Sequence, residues 1–353
     1  MKRVLCMTRK YPPSVGGMER FCYDLYSLFE KDEELDVNIV ALGKSQKHLI
    51  WFFPYCFFYL LLNARKYDVI LFSDALFAGC SWIAGVVSPK TKKITDIHGL
   101  DITYPNPVYR LYMKMFLKKF DLYVCNSKNT EDLVKSLGID NTTIINRGVN
   151  IHNNIIACSN DKFREKYGIG QHTTVIITVG RLVKRKGVEW FIRNVMSELD
   201  DVIYLVAGDG PERGNIENAI HNNHLEEKVK LLGKISDSDL NSLYCNADIF
   251  VMPNIPIEND VEGFGIVAIE ASYKKCVVIA ADIDGIADAV VNEKNGFLVE
   301  CKNITDYINR ITDFSVNRDQ YKKLSEKFAN YTEQEYSMEA IAEKYKKYIL
   351  GEC

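Results

Sequence analysis

TVIITVGRLVKRKGVEWFIRNVMSELDDVIYLVAG, residues 174–208, decides the fold. An almost continuously apolar run, Thr174–Gly180, passes through a cationic loop and a segment of helical length into a second apolar run, Val202–Gly208. Strands apolar on both faces belong to a parallel sheet covered by helices on each side. A strand, a crossover helix and a second strand form one βαβ unit, so the stretch predicts an α/β sheet. The same alternation continues through Val229–Leu232, Ile249–Pro253, Cys276–Ala281 and Phe297–Val299. Before it, Arg3–Thr8, Asp36–Leu42, Asp68–Ser73, Lys93–Ile97, Leu122–Asn126 and Thr142–Asn146 show the same pattern. The polar stretch Cys158–His172 separates the two series and places a junction near 150–160. The expected architecture is α/β, with two doubly wound domains, 1–155 and 156–332, facing across a cleft. Glu333–Leu350 has helical spacing and no following strand, so the C-terminal helix, 333–353, is expected to join the first domain.

Length and composition agree. At about 100–200 residues per domain, 353 residues favour two domains. A hydrophobic content of 47% and a charged content of 26% exclude disorder. The net charge of −3 gives no basic excess for nucleic acid. It divides into +5 over residues 1–155 and −8 over 156–353, which suggests two surfaces with different partners. The ten cysteines include no CxxC pair and no zinc spacing, and they read as small buried hydrophobes. MKRVLCMTRKYPP is too briefly apolar for a signal peptide, so a reducing cytoplasm is expected.

The chemistry is expected where strands end. Gly16 and Gly17 bring backbone amides to a helix start, an anion site in principle. Arg181, Lys184, Arg185 and Lys186 follow the Thr174–Gly180 strand in an otherwise acidic half, which points to a phosphate ligand; Lys184 and Arg185 are assigned to solvent. Gly208-Asp209-Gly210-Pro211 forms a βα turn. VEGFGIVAIEAS, residues 261–272, predicts a helix from about Phe264 to Lys274 that is apolar nearly all round yet carries Glu270. A buried carboxylate needs donors, and sugar hydroxyls are suitable ones. Glu262 precedes the helix on a loop where Gly263 and Gly265 leave bare amides for an anion.

Together, GRLVKRKG, GDGP and the two glutamates of EGFGIVAIE resemble the donor-binding half of retaining glycosyltransferases of family four (glycosyl transferases group 1), which have two Rossmann-like domains, the GT-B fold. PPSVGGMER, DIHG and INRGV resemble the family's N-terminal segments more loosely. The resemblance implies a hexosyltransferase-type enzyme using a nucleotide-diphosphate sugar, UDP- or GDP-linked, with no cofactor and no metal. It implies that Arg181 and Lys186 bind the diphosphate, Glu270 the ribose and Glu262 the transferred sugar. The amides of Phe264, Gly265 and Ile266 would approach sugar and phosphate, with Gly16, Gly17 and Gly208 lining the donor, His98 beside the sugar, and Lys234 and Ile235 near the base. Two positions depart from the pattern. Ile283-Asp284-Gly285-Ile-Ala-Asp288 replaces a glycine pair followed by Glu, and Asn150 stands where an aspartate is usual.

The expected acceptor is a saccharide or a lipid-linked glycan. LIWFFPYCFFYLLL, Leu49–Leu62, is too short to span a bilayer and is read as buried rather than interfacial. RLYMKMFLKKF, Arg110–Phe120, is basic and amphipathic; segments 49–62 and 110–120 are the candidates for peripheral contact with the inner face of a membrane. A nucleotide-sugar epimerase on the same fold is the alternative activity. The pairs Asp282-Ile-Asp284 and Asp237-Ser-Asp239 have the spacing of a metal-binding DxD, but neither follows an early strand of the first domain.

Overall fold

The computed structural model describes residues 1–14, 16–43, 46–150, 160–258, 260 and 262–352. The chain divides into two compact units, Met1–Gly148 with Met338–Cys353, and Val149–Ser337. Most of the expected junction, 150–160, lies outside the described residues, as does Val261.

In the first unit the strands are β1 (Lys2–Thr8), β2 (Leu35–Ala41), β3 (Val69–Phe72), β4 (Lys92–Ile97), β5 (Leu122–Cys125) and β6 (Thr142–Ile144). They form one parallel sheet in the order β2-β1-β3-β4-β5-β6, with Val4 beside both Val37 and Val69. Alternate residues feed opposite faces. Leu5, Met7, Ile70 and Phe72 pack under helices 49–63, 78–87 and 107–116. Val4, Cys6, Val69 and Leu71 pack under helices 17–29 and 338–350.

The second unit holds β7 (Thr174–Val179), β8 (Val202–Ala207), β9 (Val229–Gly233), β10 (Ile249–Met252), β11 (Val277–Ala281) and β12 (Phe297–Val299). Their order is β12-β11-β10-β7-β8-β9, all parallel, so each expected strand is found and the α/β, doubly wound class is correct. Ile176 faces one core while Val175 and Ile177 face the other. The order reverses between β1 and β3 in the first unit and between β7 and β10 in the second. Ligand crevices form beyond the strand ends at such reversals.

Three expectations change. The single C-terminal helix is two, Arg318–Tyr336 and Met338–Leu350, because Ser337 leaves helical geometry (φ −64, ψ 152). Segment 49–62 is only half buried: Phe52, Cys56 and Leu60 point into the core, but Trp51 and Leu62 are 76% and 81% exposed. Cys6, Cys22, Cys56, Cys80, Cys125 and Cys276 are buried and free, whereas half-buried Cys245, near the end of helix 237–246, is disulfide-bonded.

Candidate active site

The second unit's site is built on backbone contacts between loops. Gly180 N donates to Ala207 O (2.9 Å), Gly208 N to Gly233 O (2.8 Å) and Leu182 N to Asp209 O (3.0 Å), so the ends of β7, β8 and β9 are laced together. A Cβ on Gly208, whose φ is +143, would overlap the Gly180 carbonyl; only glycine serves there. These loops floor a recess of about 580 Å³ lined by Gly180, Arg181, Gly208, Asp209, Gly210 and Lys234. Arg181 and Lys234 are exposed, and among the described residues no carboxylate pairs with the Arg181 guanidinium. Ile235 is half buried against the core, leaving Lys234 as the polar neighbour of the recess.

Lys186 behaves differently. It is 8% exposed, its stem runs beside Gly180, and its Nζ stands 2.6 Å from Glu262 Oε2. Arg185 Nε lies 3.4 Å from the same oxygen, and Asn254 Nδ2 donates to it at 3.1 Å. Arg185 also bridges to Asp260 at 3.0 Å. The assignment of Arg185 to solvent is therefore corrected: it is half buried in an ion-pair cluster, while Lys184 is exposed. Burial pushes the Glu262 carboxyl upward, but Lys186 and Arg185 outweigh it and hold the group below its ordinary range. Glu262 is thus an anion in neutral solution. The two residues read as binding different parts of one ligand here bind each other.

The backbone of Glu262 is fixed by the loop after β11. Its N–H donates to Asp284 Oδ2 (3.1 Å) and its carbonyl accepts from Gly285 N (3.1 Å). A Cβ on Gly285 would overlap the Gly263 carbonyl. The departure noted in sequence, Asp284-Gly285, is what ties this loop down.

The following helix is Ile266–Tyr273, two residues shorter at its start than expected. Gly265 caps it at φ +71, Phe264 is buried against Tyr336, and Ile266 is exposed. The helix is not buried all round. Ile266, Val267, Glu270, Tyr273 and Lys274 form an accessible or half-accessible stripe, while Ala268, Ile269, Ala271 and Ser272 are buried. Glu270 therefore reaches the half-exposed side, where Tyr244 OH donates to its Oε2 at 3.0 Å. Neither Glu262, Lys186 nor Glu270 lines the recess itself.

In the first unit, β4 ends at Ile97; His98 follows it, and the imidazole is held from both sides. Nε2 lies 2.9 Å from the Ser73 carbonyl, so it must carry the proton; Nδ1 then accepts from Arg147 Nη2 at 3.1 Å. Burial, with the Arg147 cation beside it, pushes the imidazole down to about 4. Asp101 accepts from the His98 N–H (3.0 Å), and fully buried Asp74 pairs with Arg9 at 2.7 Å. Arg147, Asp74, Arg9 and Asp101 were not singled out from sequence. Arg147 lies in the INRGV segment, where it was given no role, and Arg9 and Asp74 lie just beyond strand ends.

Gly16 precedes helix Gly17–Phe29 with extended geometry (φ 168). The Glu19 carboxylate folds back over Gly16 and pairs with Lys10 at 3.1 Å, so an acidic group of the chain itself already lies against this helix start. Gly17 has open space around it.

Replacing Arg147 tests the His98 arrangement. Because the folded imidazole titrates at about 4, below the free value of ~6.5, the unfolded chain binds more protons between those values. This group's contribution to stability is therefore full above about pH 6.5 and declines as pH falls towards 4. Arg147→Gln is expected to raise the His98 titration towards ~6.5 and flatten that slope, as followed by imidazole NMR. An unchanged His98 titration would remove the assigned role.

Comparison with known proteins accounts for both units. The family described as Glycosyl transferases group 1 matches residues 159–335, and Glycosyltransferase Family 4 matches residues 15–153. An uncharacterized glycosyltransferase of Methanocaldococcus jannaschii is 26% identical over 346 residues, covering 85% of this chain and 86% of that protein. A GDP-mannose-dependent alpha-(1-6)-phosphatidylinositol monomannoside mannosyltransferase of Mycobacterium tuberculosis is 24% identical over 196 residues, covering 54% of this chain and 51% of that one. The crystal structure of Anabaena HepE in complex with UDP and glucose superposes with a TM-score of 0.69 at 18% identity, covering 99% of this chain and 100% of that one. With two parallel sheets of the same class and family matches that begin at the first glycine loop and extend through the second unit, the chain belongs to the glycosyl transferases group 1 family, and it is a glycosyltransferase of GT-B fold.

Proposed function

We propose that the protein transfers a sugar from a UDP- or GDP-sugar to a hydroxyl of a saccharide or lipid-linked acceptor, with retention of anomeric configuration and without a metal ion. The observation that carries this reading is the recess at the ends of β7, β8 and β9, with exposed Arg181 at its edge and the buried Lys186–Glu262 pair beside it. In the reaction the bond from C1 to the leaving diphosphate oxygen breaks and a bond from C1 to the acceptor oxygen forms on the same face. The acceptor proton passes to the departing phosphate. Negative charge grows on the diphosphate, and in this reading Arg181, Lys186 and the amides at the Gly265 helix start would meet it. Glu262 would exchange Lys186 for sugar hydroxyls, and Glu270 would accept from the ribose.

One aspartate of each DxD candidate is engaged within the fold, which supports the metal-independent reading. Asp284 holds the Glu262 amide, and Asp239 pairs with Lys166 at 2.9 Å near the start of helix 237–246. One relative is named as GDP-mannose-dependent and one structural neighbour was crystallised with UDP, so both bases stay in the proposal. The relatives' transferase names disfavour epimerisation. The proposed place of action is the cytoplasmic face of a membrane; among the described residues no helix is long and apolar enough to cross one.

The test is thermal stabilisation by a panel of nucleotide sugars, followed by transfer assays with and without EDTA. UDP or GDP is expected to raise the melting temperature. Glu270→Gln is expected to weaken nucleotide affinity about tenfold, roughly 1.4 kcal/mol, because a charged acceptor is lost. Unchanged affinity would contradict the ribose role. A donor epimerised without acceptor would overturn transfer as the reaction.

A further inference from the structure

Helices 49–63, 78–87 and 107–116 form one layer over a face of the first sheet, and their outward surface is apolar where solvent is expected. On the first helix Trp51, Tyr55, Phe58 and Leu62 are exposed at spacing i, i+4, i+7, i+11, opposite buried Phe52, Cys56 and Leu60. Trp82 and Val86 project from the second helix one turn apart, opposite buried Cys80 and Ala84. Val108, Leu111 and Met115 project from the third, opposite buried Met113. The stripes are neighbours. Trp82 meets Phe116 at 5.7 Å between ring centroids, and Arg65 Nε donates to the Val87 carbonyl at 3.0 Å. Scattered exposed apolar residues need no explanation, but three aligned stripes on one helical layer make a contiguous surface that does.

The charges around it have one sign. Segments 47–66, 75–93 and 104–120 contain ten Lys or Arg and no Asp or Glu. Arg65, Lys66, Lys90, Arg110, Lys114 and Lys119 are exposed. We propose that this three-helix face docks on an anionic phospholipid bilayer, its Trp, Phe and Leu side chains entering the interface and its cations resting among the headgroups. The chemistry favours this over a second copy of the chain. Self-association would set cation against cation across an apolar contact, whereas an anionic surface matches both properties at once. Trp and Tyr beside cationic groups suit the boundary between headgroup and acyl chain. Among the described residues no helix can cross a membrane, so the contact is peripheral. The inference rests on the proposed membrane location, to which it gives a contact surface, and is independent of the transfer reaction. Vesicle binding tests the surface, while donor binding tests the second unit.

The experiment is flotation of the full chain with phosphatidylcholine vesicles and with vesicles containing phosphatidylglycerol, together with tryptophan fluorescence. Binding to the anionic vesicles, a blue shift and release by high salt are expected. Arg110→Glu with Lys114→Glu should weaken binding about thirtyfold or more, given about 1 kcal/mol per basic residue near such a surface. Trp51→Ser with Phe58→Ser and Leu111→Ser should abolish the blue shift. All five residues are exposed, so an unchanged melting temperature is expected to show that each variant is folded. Equal binding to neutral vesicles, no vesicle binding, or folded variants that bind like the parent would overturn the proposal. So would a dimer in sedimentation that dissociates on the same substitutions, since a second copy would then be the occupant.

Discussion

Lys186→Ala is expected to reduce turnover at saturating donor by about 10²–10³-fold, the loss found when one preorganised donor to a developing charge is removed. The ammonium is buried beside a recess whose lining cations, Arg181 and Lys234, are exposed and screened by water. In such surroundings Lys186 can act on the leaving diphosphate without first shedding a full hydration shell. The same substitution has a cost that Arg181→Ala lacks. It leaves the Glu262 carboxylate, 12% exposed in its side chain, with Arg185 at 3.4 Å and Asn254 at 3.1 Å as its remaining partners. Breaking a buried pair typically costs about 3–5 kcal/mol, and the two surviving partners should hold the loss below that range. Lys186→Ala should therefore lower both turnover and melting temperature, whereas Arg181→Ala should lower turnover alone. Steady-state kinetics and calorimetry on the two variants separate the roles. Near-normal turnover in Lys186→Ala would remove its leaving-group assignment. The pH dependence supplies a second check. Glu262 titrates below its ordinary range in the folded protein, so the stability it contributes is present at neutral pH and lost as pH falls through the folded value. With Lys186 gone, that loss should begin at higher pH.

What could be read from sequence, and what could not, follows from the range of the interactions. Most of the twelve strands were legible because they are apolar on both faces, a property carried by a few adjacent residues; β2, with exposed Asp36 and Asn38, is the exception. The Ser337 break was not, since Tyr336, Met338 and Ile341 continue helical spacing straight through it. Segment 49–62 is apolar on every side, so sequence could not say that Phe52, Cys56 and Leu60 face inward while Trp51 and Phe58 face out. In the site, the glycine and cation positions were visible from their place after strand ends. Their partners were not. Arg185 meets Asp260 across 75 residues, and His98 meets Ser73 and Arg147 across 25 and 49. Such pairings depend on which strands are neighbours at the sheet reversal, and the order of strands along the chain does not state it. Asp284 shows the limit most clearly. In sequence it is a departure from the family pattern, but in the fold its carboxylate holds the Glu262 amide.

Gly208→Ala is expected to destabilise the second unit by about 2–6 kcal/mol and to abolish transfer. Two costs add at this position. The backbone sits at φ +143, a region that an L residue occupies only with strain of about 1–3 kcal/mol. The new Cβ would also overlap the Gly180 carbonyl. That obstacle is backbone, so no side-chain rotation relieves it, and overpacking of this kind costs about 1–3 kcal/mol more. Relief requires the loops after β7 and β8 to separate. Separation would break the Gly208 N to Gly233 O and Gly180 N to Ala207 O hydrogen bonds, and those bonds floor the recess. The loss of activity should therefore persist at temperatures where the variant remains folded. Gly214→Ala, in helix Arg213–Asn222 with nothing near its Cβ position, is the matched control. It exchanges glycine for the best helix former and should raise stability by about 0.5–1 kcal/mol. Denaturant unfolding of both variants reads the contrast. If Gly208→Ala unfolded at the same midpoint as the parent, the close approach of the two loops, and with it the floor of the donor recess, would be wrong.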